Sequence, residues 1–183
     1  MIIMLNGSFG VGKTTVARLL RSDLFGSVIY DPELAGYVLR RLPKWIKLAG
    51  SGTDDYQDLA IWRKSVIWGI GLLRAWVSAP IIIPMTFTRR SYFAEVISGL
   101  HSHDHELQVF CLRAGLGTIR RRLAERPEWR DKSSSAWLTR RILECQHAHG
   151  DAYFGEPVDT EESSAQVVAQ EILTRLQQNA KTT

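Results

Sequence analysis

The sequence is poor in several residues that mark particular classes of protein. Among 183 residues there are two asparagines, Asn6 and Asn179, and neither stands in the Asn-Lys-x-Asp motif with which GTPases read guanine. The two cysteines, Cys111 and Cys145, are far apart and form no Cys-x-x-Cys pair, so the chain shows no disulfide framework. These absences favour a protein with reduced thiols, in which Cys111 is a small buried residue of a strand.

Long apolar runs are also missing. No stretch approaches the length of a membrane-spanning helix, and the first residues lack the basic segment with which a signal peptide begins. We therefore expect a cytoplasmic protein without an integral membrane segment. Because 45% of the residues are hydrophobic and 23% are charged, the chain is expected to form one globular domain, residues 1–183, around a buried core.

Basic residues are concentrated in one part of the chain. The formal net charge is only +4, yet residues 113–141 contain nine basic residues and three acidic ones. A solvated helix face is the plain interpretation, and a surface that binds phosphate groups is the alternative. The aromatic–glycine signature of RNA-binding domains is missing, so we expect no nucleic-acid partner.

The histidines do not form a recognisable metal site. His101, His103 and His105 alternate along a connecting turn, which matches no zinc-ligand spacing. His147 and His149 are expected at the surface or at a helix end. The sequence therefore predicts no metal site built from histidines.

The most informative motif lies directly after the first apolar run. Residues 7–14 fit the pattern Gly-x-x-x-x-Gly-Lys-[Ser/Thr], between a run typical of a buried strand and an amphipathic helical pattern. Glycines let backbone N–H groups converge on a phosphate, and the helix start adds the positive end of its dipole. Lys13 is expected to reach the β- and γ-phosphates of ATP, and the Thr14 hydroxyl is expected to bind Mg²⁺. The predicted nucleotide-binding residues of this segment are Gly7, Ser8, Phe9, Gly10, Val11, Gly12, Lys13, Thr14 and Thr15.

Short apolar runs alternate with helical patterns along the chain. The runs are 2–5, 28–30, 81–83, 107–112 and 157–159, and the helical patterns are 15–21, 31–41, 56–77, a basic helix after Arg113, 136–147 and 163–179. This alternation predicts a parallel sheet with helices on both faces, whose ligands bind at the carboxyl ends of the strands. Together with the glycine motif, it predicts a three-layer α/β P-loop NTPase fold with a five-stranded parallel sheet and a small basic lid at about 126–135.

The residues that follow the strands distinguish between kinds of P-loop protein. The third run ends in Ile83-Pro84-Met85, without the acid that holds Mg²⁺ in motor and transport ATPases, which favours a small-molecule kinase. Asp31 follows the second run and is expected to accept the proton of an attacking hydroxyl or to hold the Mg²⁺ shell. An aspartate before Pro32 is also a good helix start without a catalytic role, so both interpretations stay open.

Two arginines of the basic segment complete the predicted site. Arg122 and Arg126 are four residues apart and therefore share one face of a helix. Guanidinium groups stack on flat rings and bind phosphate, so Arg122 is expected to cover adenine and Arg126 to reach the transferred phosphoryl group. The predicted catalytic residues are thus Lys13, Asp31 and Arg126, and closure of the lid is expected to exclude water.

Several segments together resemble the bacterial tunicamycin-resistance proteins. They are residues 1–14, Tyr30-Asp31-Pro32-Glu33, Ile83-Pro84-Met85-Thr86, and Arg122-Leu123 with Arg126. The resemblance runs from residue 1 to about 160, and it implies a fold similar to that of shikimate and chloramphenicol kinases, ATP binding through residues 7–15, and protection against tunicamycin. Three activities agree with it: phosphorylation of a drug hydroxyl, ATP-dependent sequestration of the drug, and phosphorylation of another small metabolite.

The segment between the second and third runs is unusually rich in tryptophan. Its large apolar residues are Trp45, Ile46, Leu48, Trp62, Val66, Trp68, Ile70, Leu73 and Trp76. Packing in the core is the expected role of such residues. An apolar groove for the acyl tail of tunicamycin is the alternative.

Overall fold

The computed structural model describes residues 1–32, 56–127 and 135–182. The predicted helix from Asp31 to about residue 41 and most of the predicted lid at 126–135 lie outside the described residues. The same holds for Trp45, Ile46 and Leu48.

Five parallel strands form one sheet in the order β2-β3-β1-β4-β5. The strands are β1 Ile2–Gly7, β2 Val28–Ile29, β3 Ile81–Pro84, β4 Leu107–Arg113 and β5 Glu156–Asp159. The predicted five-stranded parallel sheet is therefore confirmed. β1 is longer than its apolar run predicts, because its ladder with β4 continues until Gly7 lies opposite Leu112.

Six helices flank the sheet in the described part of the chain. They are α1 Lys13–Asp23, α2 Ala60–Trp76, α3 Arg90–His101, α4 Leu116–Ala124, α5 Ala136–His149 and α6 Ala165–Thr182. One predicted start is wrong: a separate 3₁₀ turn at Tyr56–Asp58 precedes α2, because Leu59 has an extended backbone. The predicted start of α6 at the Ser163-Ser164 pair is confirmed, since the helix begins at Ala165 and the Ser164 hydroxyl accepts from the N–H of Val167.

β1 lies at the centre of the core because both of its faces are buried. Ile2 and Met4 pack against residues of α2 and α3, whereas Ile3 and Leu5 pack against residues of α1 and α6. All four side chains are fully buried. Successive side chains of a strand point to opposite faces, so a strand covered by helices on both sides reads as a continuous apolar run.

The tryptophan-rich helix α2 divides its side chains between core and surface. Trp62, Val66 and Ile70 are fully buried, so the core interpretation is confirmed for them. It is wrong for Trp68 and Trp76, whose side chains are 74% and 83% exposed. One face of α2 packs on β3 and α3. Trp68 and Trp76 lie on other faces of the helix, so their indoles point away from the sheet.

Candidate functional site

The glycine loop between β1 and α1 has the backbone that the motif predicts. Gly10 and Gly12 have φ values of 73° and 108°, in the region that favours glycine. A Cβ atom at Gly10 would lie 2.8 Å from Cγ of Leu123, whereas one at Gly12 would meet nothing within 4 Å. The loop is therefore packed against α4 at Gly10 and open at Gly12, next to the first N–H groups of α1.

Lys13 holds its ammonium group inside this loop. Its Nζ donates to the carbonyl oxygens of Gly7 at 2.8 Å and Ser8 at 2.9 Å. Thr14 and Thr15 are exposed in the first turn of α1. The Lys13 ammonium and the first N–H groups of α1 thus lie in the same glycine loop, and loops of this kind bind phosphate groups in other proteins.

Asn6 holds the start of the glycine loop through hydrogen bonds from inside the core, a role that was not predicted. Its side chain is fully buried, and Oδ1 accepts from the N–H groups of Gly7 and Phe87, each at 2.9 Å. Its Nδ2 donates to the carbonyl of Phe154 at 3.2 Å and to that of Phe87 at 3.5 Å. One amide therefore joins the start of the loop to the segments that follow β3 and precede β5. A polar residue inside a buried strand, directly before the first glycine, is the signal that could have identified it.

His149 ends helix α5, which is one of the two positions predicted for it, and its side chain is buried rather than at the surface. Its Nε2 lies 2.8 Å from the carbonyl oxygen of Phe87. Burial lowers the pKa of His149 from 6.5 to about 4, and the hydrogen bond to Phe87 opposes this shift only in part. The imidazole is therefore neutral at neutral pH and donates to the same segment that Asn6 holds.

Replacing His149 with glutamine is expected to flatten the acid side of the stability profile. Between pH 6.5 and about pH 4, His149 is protonated in the unfolded chain but neutral in the folded chain. The free energy of unfolding therefore falls as the pH falls through this window. The parent should lose about 2.5 kcal/mol more unfolding free energy than the variant between about pH 7.5 and about pH 4.5. Urea titrations at both pH values measure this difference. Equal losses would show that His149 does not titrate as a buried neutral group.

A cavity of about 410 Å³ opens beside the glycine loop on the β4–β5 side. Cavities of this size hold small ligands. It lies between the loop, helix α4 and the segment that joins β5 to α6, and it is lined by Gly10, Val11, Gly12, Thr15, Val16, Arg122, Glu125, Arg126, Thr160, Ser163, Ser164, Ala165 and Val168. Both arginines that the sequence predicts for this site thus line one space together with the glycine loop.

Arg122 is fixed in this cavity by backbone oxygens. Its guanidinium donates to the carbonyl of Thr160, to the Thr160 hydroxyl at 3.2 Å and to the carbonyl of Val11 at 3.5 Å. The Thr160 hydroxyl in turn contacts the Val11 carbonyl at 3.3 Å. These bonds hold the glycine loop, α4 and the β5–α6 segment together. Thr160 is a residue of the site that the sequence did not reveal.

Glu161 joins the same segment to the start of α4. Its carboxylate accepts from the N–H of Gly115 and from the hydroxyl of Thr118 at 2.6 Å. These two bonds, first that to Gly115 and then that to Thr118, lower the pKa of Glu161. Because α4 has no side-chain cap of its own, this remote carboxylate satisfies its first turn.

Asp31 lies on the other flank of the loop. It follows β2, which is the edge strand next to β3. Asp31 therefore lies at the carboxyl edge of the sheet, and β3 separates β2 from β1. The adjoining Pro32 accepts from the indole N–H of Trp62 at 3.4 Å. Closer to the loop, the Thr86 hydroxyl donates to the carbonyl of Gly7 at 2.8 Å.

No group of three or more His, Cys, Asp or Glu side chains in residues 1–32, 56–127 and 135–182 is arranged to hold a metal ion. The Thr14 hydroxyl lies exposed in the first turn of α1, and in proteins with this motif a hydroxyl at that position binds Mg²⁺ together with phosphates and water. Within the same ranges, no helix is both long and apolar enough to cross a bilayer.

Residues 2–149 match the family model of the AAA domain, and the chain belongs to that family. Its sheet and its glycine loop define a P-loop fold of the kinase-like kind, as the sequence predicts. Among curated proteins, none matches the sequence significantly.

Solved structures with the same fold include a resistance protein and several kinases. The tunicamycin resistance protein of Deinococcus radiodurans is 24% identical with a TM-score of 0.74, over 96% of this chain and 94% of that one. A gluconokinase from Sinorhizobium meliloti is 17% identical with a TM-score of 0.67, over 98% and 93%. A shikimate kinase from Acinetobacter baumannii, in complex with shikimate, is 18% identical with a TM-score of 0.61, over 97% and 93%. The predicted resemblance to tunicamycin-resistance proteins is thus confirmed for the fold.

Proposed function

We propose that the protein is an ATP-dependent phosphotransferase that acts on a hydroxyl group of tunicamycin or of a similar nucleoside antibiotic. The observation that carries this proposal is the position of Lys13, whose ammonium shares the Gly7 carbonyl with the Thr86 hydroxyl of the segment after β3. The neighbouring Gly12 lines the 410 Å³ cavity on the other flank of the loop. A phosphoryl-transfer enzyme needs a nucleotide and an acceptor on opposite sides of such a group. The fold shared with the D. radiodurans protein and with two kinases supports the substrate and the reaction.

In the proposed complex, the adenosine of ATP occupies the 410 Å³ cavity, and the phosphates of ATP lie along the glycine loop. Mg-ATP supplies the phosphoryl group. Lys13 leaves the carbonyls of Gly7 and Ser8 to bind the β- and γ-phosphates, and Thr14 binds Mg²⁺. Arg122 flanks the adenine ring from the position in which Thr160 holds it, and Arg126 neutralises charge on the transferred group. The dependence on ATP places this reaction in the cytoplasm.

On the acceptor side, Asp31 is proposed to take the proton of the attacking hydroxyl. It stands at the carboxyl edge of the sheet, where ligands of parallel sheets bind. As the hydroxyl oxygen forms its bond to phosphorus, the bond to the leaving ADP breaks and the proton passes to the Asp31 carboxylate. The predicted lid at 126–135 is proposed to cover the site and to keep water away from the γ-phosphate.

Replacing Asp31 with asparagine is expected to separate transfer from binding. The loss of a general base should lower the rate of phosphoryl transfer by about 100-fold or more, while the binding of ATP stays within a few-fold of the parent. The assay incubates protein, Mg-ATP and tunicamycin, follows the release of ADP, and weighs the drug by mass spectrometry. Asp23→Asn, at the exposed end of α1, is the matched control and should react like the parent.

The same assay decides between the alternative activities. A parent protein that leaves the drug unmodified and forms no ADP would refute phosphoryl transfer to tunicamycin. If the Asp31→Asn variant nevertheless protected cells in proportion to its amount, the protein would be a sequestering one. Formation of ADP with another hydroxylated metabolite, and none with tunicamycin, would identify a kinase of different specificity.

A further inference from the structure

Helix α2 carries an apolar stripe on the face that points away from the sheet. Four large apolar side chains of this helix are between 53% and 83% exposed: Ile61, Trp68, Leu72 and Trp76. Together with Ser65 they recur every three or four residues, so they lie along one side of the helix, opposite the side that packs in the core. These five residues are called here the outer stripe.

The outer stripe is large enough for a stable contact with another protein. The exposed parts of Trp68 and Trp76 offer roughly 350 Å², because an aromatic side chain has about 150–250 Å² to bury. With Ile61 and Leu72 the stripe offers roughly 550 Å², which is at the upper end of what a monomeric protein exposes in one patch. Two such stripes in contact would bury about 1,100 Å², and a specific interface needs about 1,000 Å².

The order of side chains in the outer stripe is complementary to itself when two copies of α2 run antiparallel. With a two-fold axis beside Trp68, position 61 of one copy lies opposite position 76 of the other, and position 65 lies opposite position 72. Each pair joins a larger side chain with a smaller one, Trp76 with Ile61 and Leu72 with Ser65. The Ser65 hydroxyl donates to a backbone carbonyl of its own helix at 2.7 Å, so it can be covered by a leucine. The same patch on both copies thus forms the whole contact, as a two-fold interface requires.

The charges of α2 favour a second copy over a membrane surface. Helices that lie on membranes carry several Lys or Arg residues beside their apolar face. In α2, all of which the structure describes, Lys64 is the only exposed charged residue, since Arg63 pairs with Glu95 and Arg74 with Asp104. In the antiparallel pair the two copies of Lys64 stand about 13 Å apart along the helices, beyond the screening length of about 8 Å at physiological salt. Their repulsion therefore does not oppose the contact.

The far end of the outer stripe is distant from the chain ends that border residues 33–55. Pro32, whose carbonyl accepts from the Trp62 indole, and Tyr56 both lie at the amino end of α2. Trp76 is the last residue of the helix, about 24 Å further along its axis. It is also the most exposed residue of the stripe. Area, order and charge thus agree on a second copy of the chain as the partner.

We propose that the protein forms a two-fold symmetric dimer through the outer stripe of α2. The two helices run antiparallel, and the two Trp68 indoles meet at the axis. The stripe contains no residue of the nucleotide site, so the inference goes beyond the proposed function and does not depend on it.

Cysteine substitutions test the antiparallel register. Trp68→Cys places two thiols beside the axis, and oxidation with diamide should link most chains into disulfide-bonded dimers. Trp76→Cys places its two thiols about 22 Å apart, whereas a disulfide needs Cα atoms within about 7 Å, so this variant should stay unlinked. Random collisions would give the opposite result, because Trp76 is more exposed than Trp68. The natural cysteines, Cys111 and Cys145, are both buried, so the parent is the unlinked reference.

Sedimentation velocity over a range of protein concentrations tests the dimer itself. The parent should sediment as a dimer that dissociates on dilution. Trp68→Glu places two carboxylates at the axis and removes the central indoles, so it should raise the dissociation constant at least about 30-fold. Trp137→Glu, which changes a half-exposed indole of α5, is the matched control and should dimerise like the parent. If Trp68→Glu does not fold, as circular dichroism would show, the two cysteine variants still decide.

Three results would overturn the inference. One is a parent protein that stays monomeric at submillimolar concentration. In that case co-sedimentation with phosphatidylcholine vesicles would identify a membrane surface as the partner, and tryptophan fluorescence protected from acrylamide would indicate that the chain covers the stripe itself. Another is cross-linking of Trp76→Cys as readily as of Trp68→Cys, which would exclude the antiparallel register. The third is a Trp137→Glu variant that dissociates as much as Trp68→Glu, which would place the contact elsewhere.

Discussion

Replacing Lys13 with alanine is expected to weaken the binding of Mg-ATP by about 100-fold or more. In the free protein its ammonium rests on the carbonyls of Gly7 and Ser8, inside the loop that the phosphates are proposed to occupy. A hydrogen bond to a charged group contributes about 1.5–3 kcal/mol, and Lys13 is expected to make one to each of two phosphates. At least about 3 kcal/mol, or roughly 150-fold in affinity, should therefore be lost.

Calorimetric titrations with ATP and AMP make this prediction specific. AMP lacks the β- and γ-phosphates, so the alanine variant should bind it as the parent does. Lys64→Ala, which removes an exposed lysine of α2, is the matched control and should leave both affinities unchanged. A Lys13 variant with parental affinity for ATP would contradict the assignment of the glycine loop, and with it the proposed enzyme.

The sheet and the glycine loop were predictable because their determinants are local. A strand buried on both faces is a run of consecutive apolar residues, and Ile2 to Leu5 is such a run. The loop needs glycine where φ is positive, and the motif has glycine at both of these positions, Gly10 and Gly12. Arg122 and Arg126 both line the cavity, but the shared helix face predicted for them is wrong, because α4 ends at Ala124 and Arg126 lies beyond it.

The supports of the site were not predictable, because their partners are distant in the sequence. Asn6 meets residues that are 81 and 148 positions away, and no pattern within β1 indicates which segments the sheet will bring there. Glu161 caps a helix that begins 45 residues earlier in the chain, a contact that depends on the pairing of β4 with β5. Asp58, in the turn before α2, likewise accepts from Arg89 and Tyr92 at the start of α3.

Helix α2 shows the limit of composition as a guide. Its apolar content predicts burial, yet Trp68 and Trp76 are exposed while Trp62 is fully buried. The difference follows from the helical period, since residues 62, 66 and 70 share the face that meets the sheet. Counting large apolar residues without their phase on the helix therefore overestimates the core.

The buried amide of Asn6 gives the second large expected effect. Asn6→Ala would leave the N–H groups of Gly7 and Phe87 without their acceptor and would remove the donor to the Phe154 carbonyl, all inside the core. Each buried polar group left without a partner costs about 1–3 kcal/mol, so the variant should lose about 3–5 kcal/mol of unfolding free energy. Because typical domains have only about 5–15 kcal/mol in total, this change alone should bring the protein close to unfolding.

Asn179→Ala is the matched control, since Asn179 is the other asparagine of the chain and its amide donates to Gln108 at 2.9 Å near the surface. It should change the unfolding free energy by less than about 1 kcal/mol. Urea titrations of the parent and both variants measure the two losses, and ATP titrations of the folded Asn6 variant show whether the loop keeps its shape. If both alanine variants lost the same small amount of unfolding free energy, Asn6 would not be the residue that holds the loop. The hydrogen bonds from Thr86 and Lys13 to the Gly7 carbonyl would then hold it. A large loss for Asn6 alone would show that the fold of the glycine loop depends on one side chain that joins three segments of the chain.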